Sequence, residues 1–442
     1  MKSKSTFSIT TLGCKVNQCE SDAINRALKT KGIAVNADNK KPDICIVNTC
    51  TVTQKASMQS RQAIRKAIKS FPKAKIVVTG CYAQTAPEEL AKIEGVTAVI
   101  SNADKPNLPE LLAQLNTAQR TTPSIVHHKI SEQKNFALST VSAYSTRSRP
   151  FLKIQDGCNA FCTYCIVPYA RGRSRSMPFD DVLAELKKLE NAGFCEVVLT
   201  GIHLGCYGQD LSPPVTLLQL LEAINRRPPV KRIRLSSIEP MELSTEIIAL
   251  VKISKTFCHH FHLPLQSGDN DILKRMKRPY LRENFRQKVI EIDRLIPDAA
   301  IGADILVGFP GESETAFENT LELIHSIPIS YLHVFPFSPR KNTPAFHFAG
   351  KIPERVIKER CKILRELGKI KKKQFYARQV GKIVTVLVEG SRDRTTNSLK
   401  GVSDNYLPVY INGDDTIKSS LVKVRITGVT PELKVLGEIQ ER

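Results

Sequence analysis

Short β-rich runs alternate with helix-length stretches along most of this 442-residue chain, and that rhythm restricts the fold more than any other feature. From Phe7 to Ser101 the runs FSITTLG, DICIVNT, KIVVTG and VTAVIS are separated by helical stretches such as Gln54 to Lys69 and Pro87 to Ile93. A strand returned by a crossover helix builds a parallel sheet, so this segment reads as an open parallel α/β domain. Past Arg149 the units lengthen to FLKIQDG, CEVVLTG, KRIRLSSIEP, HHFHLPLQSG, IGADILVGFPG and YLHVFPFS. Helix-like segments separate them at Asp180 to Asn191, Leu217 to Asn225, Thr245 to Ile253, Arg282 to Leu295 and Glu314 to Ile327. Six such repeats predict a partial (β/α)6 barrel.

The chain exceeds the ~250–300 residues at which single cores stop growing, so more than one domain is expected. The N-terminal domain is assigned to residues 1–115 and the central one to 144–376. Between them, residues 116–143 belong to a Thr-, Ser- and Gln-rich connector with room for one strand. A basic helix from Pro353 to Arg378 carries the run Lys369, Lys371, Lys372 and Lys373. Beyond it, residues 377–442 carry GKIVTVLVEG, YLPVYINGD, SLVKVRITGVT and KVLGEIQ, alternating strands with Gly and Asn-Gly turns that predict a small all-β barrel.

A formal charge of +22 would concentrate a polyanion, and nucleic acid is the commonest one in a cytoplasm. No apolar stretch approaches the ~18 residues of a membrane span, and MKSKSTFSITTLG is too polar for a secretory signal, so a cytoplasmic location with no membrane partner is expected. Twelve cysteines in a reducing compartment then call for a metal or catalytic explanation.

Cys158, Cys162 and Cys165 lie in DGCNAFCTYCIVPYARGRSRS, just after FLKIQDG. Three thiolates on one loop can wrap a single centre. Zinc sites usually close with four ligands, and no nearby His completes this one. A cubane cluster on three cysteines leaves one iron open for a cofactor. Cys14, Cys50 and Cys81 each follow a predicted parallel strand, and the C-terminal ends of such strands share one edge of an open sheet. Those three are compatible with a second cluster and with ordinary packing alike.

Cys-x3-Cys-x2-Cys at the mouth of a strand resembles the radical S-adenosylmethionine enzymes. TLGCKVNQ, VNTCTVT, GCYAQ and QDGCNAFCTYCIVPYARGR extend the resemblance over nearly the whole chain to the methylthiotransferases, including a C-terminal RNA-binding barrel of the TRAM type. The resemblance implies two [4Fe–4S] clusters, one on Cys158, Cys162 and Cys165 that cleaves S-adenosylmethionine, and an auxiliary one on Cys14, Cys50 and Cys81. Cofactor contacts are expected at strand ends: Thr200, Gly201, Glu239, Gln266 and the Gly308 to Gly311 turn. An end-of-strand Gly also serves turns, and a buried Gln or Glu often satisfies backbone. Cys19, Cys45, Cys195, Cys206, Cys258 and Cys361 are read as structural.

TLGCKVNQ, GIHLG and SDNYLPV resemble most the branch that acts on N6-threonylcarbamoyladenosine beside the tRNA anticodon, adding a 2-methylthio group. The implied partners are tRNA and an electron donor such as a flavodoxin. Arg171, Arg173 and Arg175 are expected to face RNA, better placed than the lysine run. Three alternatives remain: a methylthiotransferase acting on another tRNA base, a radical enzyme that modifies a ribosomal protein, and a zinc-stabilised RNA-binding protein without catalysis.

Overall fold

The computed structural model describes residues 5–35, 41–115, 122–137 and 147–440. Of the expected connector, residues 116–121 and 138–143 lie outside the described residues. Two compact units are present: Met1–Ser142, Gln155–Met177 and Ser338–Phe346 form one, and Ala143–Ile154, Pro178–Phe337 and His347–Arg442 the other.

The first unit is built on an all-parallel six-stranded sheet in the order Ala34–Val35, Thr6–Thr11, Ile44–Thr49, Lys75–Gly80, Val96–Ile100, Ser124–Val126. Its central strands Ile44–Thr49 and Lys75–Gly80 are buried almost end to end because both faces are covered. Ile44 and Ile46 join Phe7, Ile24 and Leu28 on one face, while Cys45 and Val47 join Ile64, Ile76 and Val78 on the other. The helix Gln54–Ser70 starts where its spacing predicts, with Thr53 accepting a hydrogen bond from the Ala56 amide at 3.0 Å. The helix Lys15–Thr30 opens on Cys14 without a side-chain cap, so no capping signature marks its start. The connector contributes Ser124–Val126, which pairs with Val96–Ile100 at the sheet edge.

In the second unit, the strands Phe151–Lys153, Glu196–Thr200 and Arg232–Leu235 form one parallel sheet, and His260–Gln266, Ala300–Val307 and Tyr331–Pro336 another. A bridge between Ile233 and Phe257 joins the two halves. The helices Phe179–Asn191, Leu217–Arg226, Thr245–Ile253, Arg282–Leu295 and Glu314–Ser326 fall within a residue of their predicted limits.

The C-terminal segment closes into a five-stranded barrel of Ile383–Arg392, Leu399–Ser403, Pro408–Ile411, Val435–Ile439 and Leu421–Val429. Leu399–Ser403 is absent from the sequence reading because LKGVS has little β character; pairing with both neighbours holds it. The barrel is clamped by two arginines on one strand. Arg232 donates to the Thr385 and Val402 carbonyls at 2.8 Å each, and Arg234 to those of Ser403 and Asp404 at 2.8 and 2.9 Å. Both pair with Glu196, which is fully buried; burial opposes its ionisation, but the guanidiniums of Arg234 and Arg232 outweigh it and hold the carboxyl below its usual range.

Removing one member of such a buried set strands the others. Arg234→Met is therefore expected to cost about 3–5 kcal/mol, read as a lowered denaturant midpoint, with Glu196→Leu added on top recovering part of it. A midpoint equal to wild type would refute the clamp. A second outcome concerns acid. Asp304 lies 3.2 Å from His262 Nε2 and 3.1 Å from His333 Nδ1. Burial alone would raise its carboxyl, but the two imidazoles outweigh burial and hold it at about 2, against an ordinary 3.8. A carboxyl depressed on folding contributes stability above its unfolded value, and the contribution disappears as pH falls between those two values. Asp304→Asn should remove about 2 kcal/mol at neutral pH and flatten the acid limb of thermal stability; an acid limb identical to wild type would contradict this.

Candidate active site

Parallel pairing brings the ends of the first three long strands together. Thr11 lies opposite Asn48, and Thr49 opposite Gly80, so the residues that follow converge on one sheet edge. Cys14 precedes the helix Lys15–Thr30, Cys50 follows Ile44–Thr49, and Cys81 begins the helix Cys81–Thr85. Gly13 has φ +99°, and a Cβ there would stand 2.8 Å from the Cys50 Cβ, so only glycine lets these loops approach. Cys14 is exposed, whereas Cys50 and Cys81 are buried. Burial pushes the Cys50 thiol up to about 12, with Cys81 and Cys14 adding to the rise. The Cys81 thiol is also raised by burial, against the pull of Arg171 and Lys105.

The other cysteine loop belongs to the same compact unit. It is pinched at its base by antiparallel pairing of Gln155–Asp156 with Arg175–Ser176. Gly157, at φ +73°, passes so close to the Arg173 carbonyl that a Cβ would lie 1.9 Å from its oxygen. Within the loop the Cys158 amide donates to the Gly172 carbonyl at 3.0 Å, the Ala160 amide to Cys158 Sγ at 3.4 Å, and the Cys165 amide to the Cys162 carbonyl at 2.9 Å. Cys162 is buried, and Cys158 and Cys165 are half-buried. The helix Val167–Arg171 packs against Cys81–Thr85. Asn102 links the two, donating to the Ala170 carbonyl at 2.8 Å and Cys81 Sγ at 3.6 Å.

Arg171 ties the loop to the sheet. Its guanidinium, 3% exposed, donates to Asn17 Oδ1 at 2.5 Å, Glu20 Oε1 at 2.8 Å and Asp156 Oδ1 at 3.0 Å. Burial opposes its charge, but Glu20, Cys81 and Asp156 outweigh burial and hold it protonated. Lys105 reaches Glu20 from another side at 2.5 Å. The expectation that Arg171 and Arg175 face RNA is therefore wrong. Arg175 is also buried, donating to the Arg171, Arg173 and Gln133 carbonyls; Arg173 alone is exposed, stacked over Phe161 at 4.8 Å. In the lysine run, Lys371 caps the His325 and Ile327 carbonyls, Lys369 pairs with Glu366, and Lys372 lies 5.3 Å over the Tyr376 ring.

The remaining predicted residues belong to the second unit. Thr200 ends the strand Glu196–Thr200 and is buried, its carbonyl accepting from the Ile154 amide at 2.9 Å, and Gly201 follows it half-buried. Glu239 pairs with Arg278, yet burial keeps its carboxyl above the ordinary range. Gln266 ends its strand at a bulge, in the left-handed region at φ +67°. Gly308, also left-handed, meets Ile357, where a Cβ would stand 2.4 Å from Cγ1, so backbone geometry and packing account for this glycine. Cys206, read as structural, groups with two residues the sequence did not single out. His203 Nε2 stands 2.6 Å from Glu242 Oε1, and Cys206 Sγ 3.2 Å from the same oxygen.

One zinc ion holds its sulfurs about 4 Å apart, given Zn–S distances of about 2.3 Å. Among the described residues, the donor groups within 4.8 Å of one another are His203, Cys206 with Glu242, and His262, Asp304 with His333; neither cysteine triad is among them. Neither three-cysteine set thus has the spacing of a single-ion site, and buried cations lie beside the N-terminal one.

Residues 6–101 match the family described as Uncharacterized protein family UPF0004, and residues 152–324 match the Radical SAM superfamily. Threonylcarbamoyladenosine tRNA methylthiotransferase MtaB of Aquifex aeolicus is 40% identical over 400 residues, covering 90% of this chain and 97% of the relative. The chain belongs to the radical SAM methylthiotransferase family. Another relative, tRNA-2-methylthio-N(6)-dimethylallyladenosine synthase of Clostridium botulinum, is 36% identical over 431 residues, covering 95% and 94% of the two chains. Among solved structures, the radical S-adenosylmethionine methyltransferase TsrM of Kitasatospora setae shares the fold at TM-score 0.59 and 16% identity, over 78% of this chain and 77% of that one. This methylthiotransferase thus has the mixed α/β architecture of a radical SAM protein, with a small C-terminal barrel. No helix among its described residues is long and apolar enough to cross a membrane.

Arg171→Met should cost about 3–5 kcal/mol in urea unfolding followed by circular dichroism, because Glu20 and Asp156 lose their shared cation. Arg171→Lys should recover only part, since an ammonium cannot serve three acceptors in a planar fork. An unchanged midpoint in both variants would show that the network is not structural.

Proposed function

We propose that this methylthiotransferase converts N6-threonylcarbamoyladenosine at position 37 of tRNA to its 2-methylthio derivative. The observation that carries the reading is the presence of two three-cysteine sets in one compact unit of a chain 40% identical to an MtaB enzyme. Cys158, Cys162 and Cys165 would hold one [4Fe–4S] cluster, leaving one iron for S-adenosylmethionine, and Cys14, Cys50 and Cys81 the other. When bound, these groups supply a 5′-deoxyadenosyl radical and the sulfur that replaces hydrogen on the adenine carbon, chemistry no side-chain acid or base can provide.

The chain's own contribution is positioning and charge. Arg171 and Lys105 lie buried beside the N-terminal cysteines and would offset the negative charge that thiolates bring into a low-dielectric site. Cys50 and Cys81, protonated while buried, would release their protons on coordination. Thr200, Gly201, Glu239 and Gln266 are assigned to S-adenosylmethionine. In this assignment the six strands of residues 144–376 form a partial (β/α)6 radical SAM barrel, residues 1–115 the methylthiotransferase domain and residues 377–442 a TRAM domain. The net charge of +22 and the exposed Arg173 support tRNA as partner, with a flavodoxin-like protein as electron donor and the cytoplasm as location. The 36% identity to dimethylallyladenosine enzymes supports a second reading, in which an isopentenyl arm takes the place of the threonylcarbamoyl one.

Cys158→Ala is expected to abolish S-adenosylmethionine cleavage, whereas Cys50→Ala should retain cleavage and lose thiomethyl transfer. Deoxyadenosine release measured on reconstituted protein separates the two variants, and equal release by wild type and Cys158→Ala would end the assignment. Mass spectrometry of tRNA nucleosides from a strain lacking the gene should show 2-methylthio-N6-threonylcarbamoyladenosine replaced by its unthiolated precursor.

A further inference from the structure

A cavity of about 780 Å³ opens within the unit that carries all six cysteines. Its walls adjoin both sets: Tyr82 follows Cys81, Ile166 follows Cys165, and Arg340 reaches the hydroxyl of Thr51, the residue after Cys50. The volume suits a modified nucleobase with its side arm.

The charges around it are unequal. Arg61 and Arg340 form part of the wall, Lys55 and Lys341 stand exposed at its edge, and Glu89 is the one acid among the lining residues. Glu89 is already engaged, accepting from the Tyr82 hydroxyl at 2.7 Å, while Arg61 Nη1 donates to the same hydroxyl at 2.7 Å. Arg340 Nη2 donates to Thr51 Oγ1 at 2.6 Å and Ser57 Oγ at 3.1 Å, both neutral acceptors. Its Nε is buried with no hydrogen-bond partner. Burial pulls the Arg340 guanidinium down, and Tyr82 and Glu89 oppose it without offsetting it. Among the described residues neither guanidinium has a carboxylate at ion-pair distance, and the one acid in the wall, Glu89, is bonded to the Tyr82 hydroxyl, so two half-buried forks share a cavity in which no carboxylate pairs directly with either.

The two substrate classes named among the relatives differ in the chemistry such a cavity would read. A threonylcarbamoyl arm ends in a carboxylate and a hydroxyl; a dimethylallyl arm is hydrocarbon. A desolvated guanidinium gains from the first and is stranded by the second. We propose that Arg61 and Arg340 receive the threonyl carboxylate of the substrate base and thereby select an anionic N6 arm. This rests on the substrate reading above and adds its recognition element.

The test measures binding of the full chain to anticodon stem-loop RNAs by fluorescence anisotropy, anaerobically and after cluster reconstitution. One RNA carries N6-threonylcarbamoyladenosine, a second carries the same base with the carboxylate converted to a primary amide, and a third carries N6-dimethylallyladenosine. Wild type should bind the carboxylate RNA at least about tenfold more tightly than the amide RNA. Arg61→Gln and Arg340→Gln should each bring that ratio close to one, with Arg61→Lys restoring part of it, all at thermal stabilities near wild type. Equal binding of carboxylate and amide RNAs by wild type, while the carboxylate RNA is still methylthiolated, would overturn the carboxylate site and leave the substrate standing. No methylthiolation of the carboxylate RNA, with turnover of the dimethylallyl RNA, would overturn the substrate itself. Variants that weaken all three RNAs by one factor would assign the arginines to the phosphate backbone and also refute the proposal.

Discussion

A guanidinium withdrawn from water is tenable only if anions close around it, and Arg171 meets that condition by drawing on distant parts of the chain. Glu20 comes from the first helix, Asp156 from the strand just before the cysteine loop, and the Asn17 side chain completes the set. The loop that holds Cys158, Cys162 and Cys165 is thus anchored through an electrostatic requirement as well as apolar packing. The same cation, with Lys105, provides positive charge where Cys50 and Cys81 are buried. One buried charge network therefore supports both the geometry of the loop and the electrostatics of the N-terminal cysteines.

How much of this was legible follows from which interactions are local. Most helices were readable because their limits depend on periodicity and caps a few residues away, as with Thr53 before Gln54–Ser70, whereas the uncapped Lys15–Thr30 was not. Convergence of Cys14, Cys50 and Cys81 at one edge could be anticipated because every parallel strand puts its C-terminal end on the same side. The fate of Arg171 and Arg175 could not. ARGRSR looks like a solvent-facing basic run, and what buries Arg171 is a carboxylate 151 positions earlier. Arg340 was missed for the same reason, since the hydroxyls it reaches lie 289 and 283 positions away. The His203, Cys206 and Glu242 group escaped because Glu242 comes from a separate loop, although the short spacing of His203 and Cys206 was visible. Leu399–Ser403 is a strand because of its two neighbours, which no local propensity reports.

The arginine clamp beneath the small C-terminal barrel has a consequence of a different kind. Arg232 and Arg234 grip main-chain carbonyls of Thr385, Val402, Ser403 and Asp404, groups that every amino acid carries. The joint thus does not depend on the identity of those four side chains. Outward-facing positions of the barrel can be exchanged without removing an acceptor from these four bonds. A fold attached in this way can evolve a new face while keeping its seat.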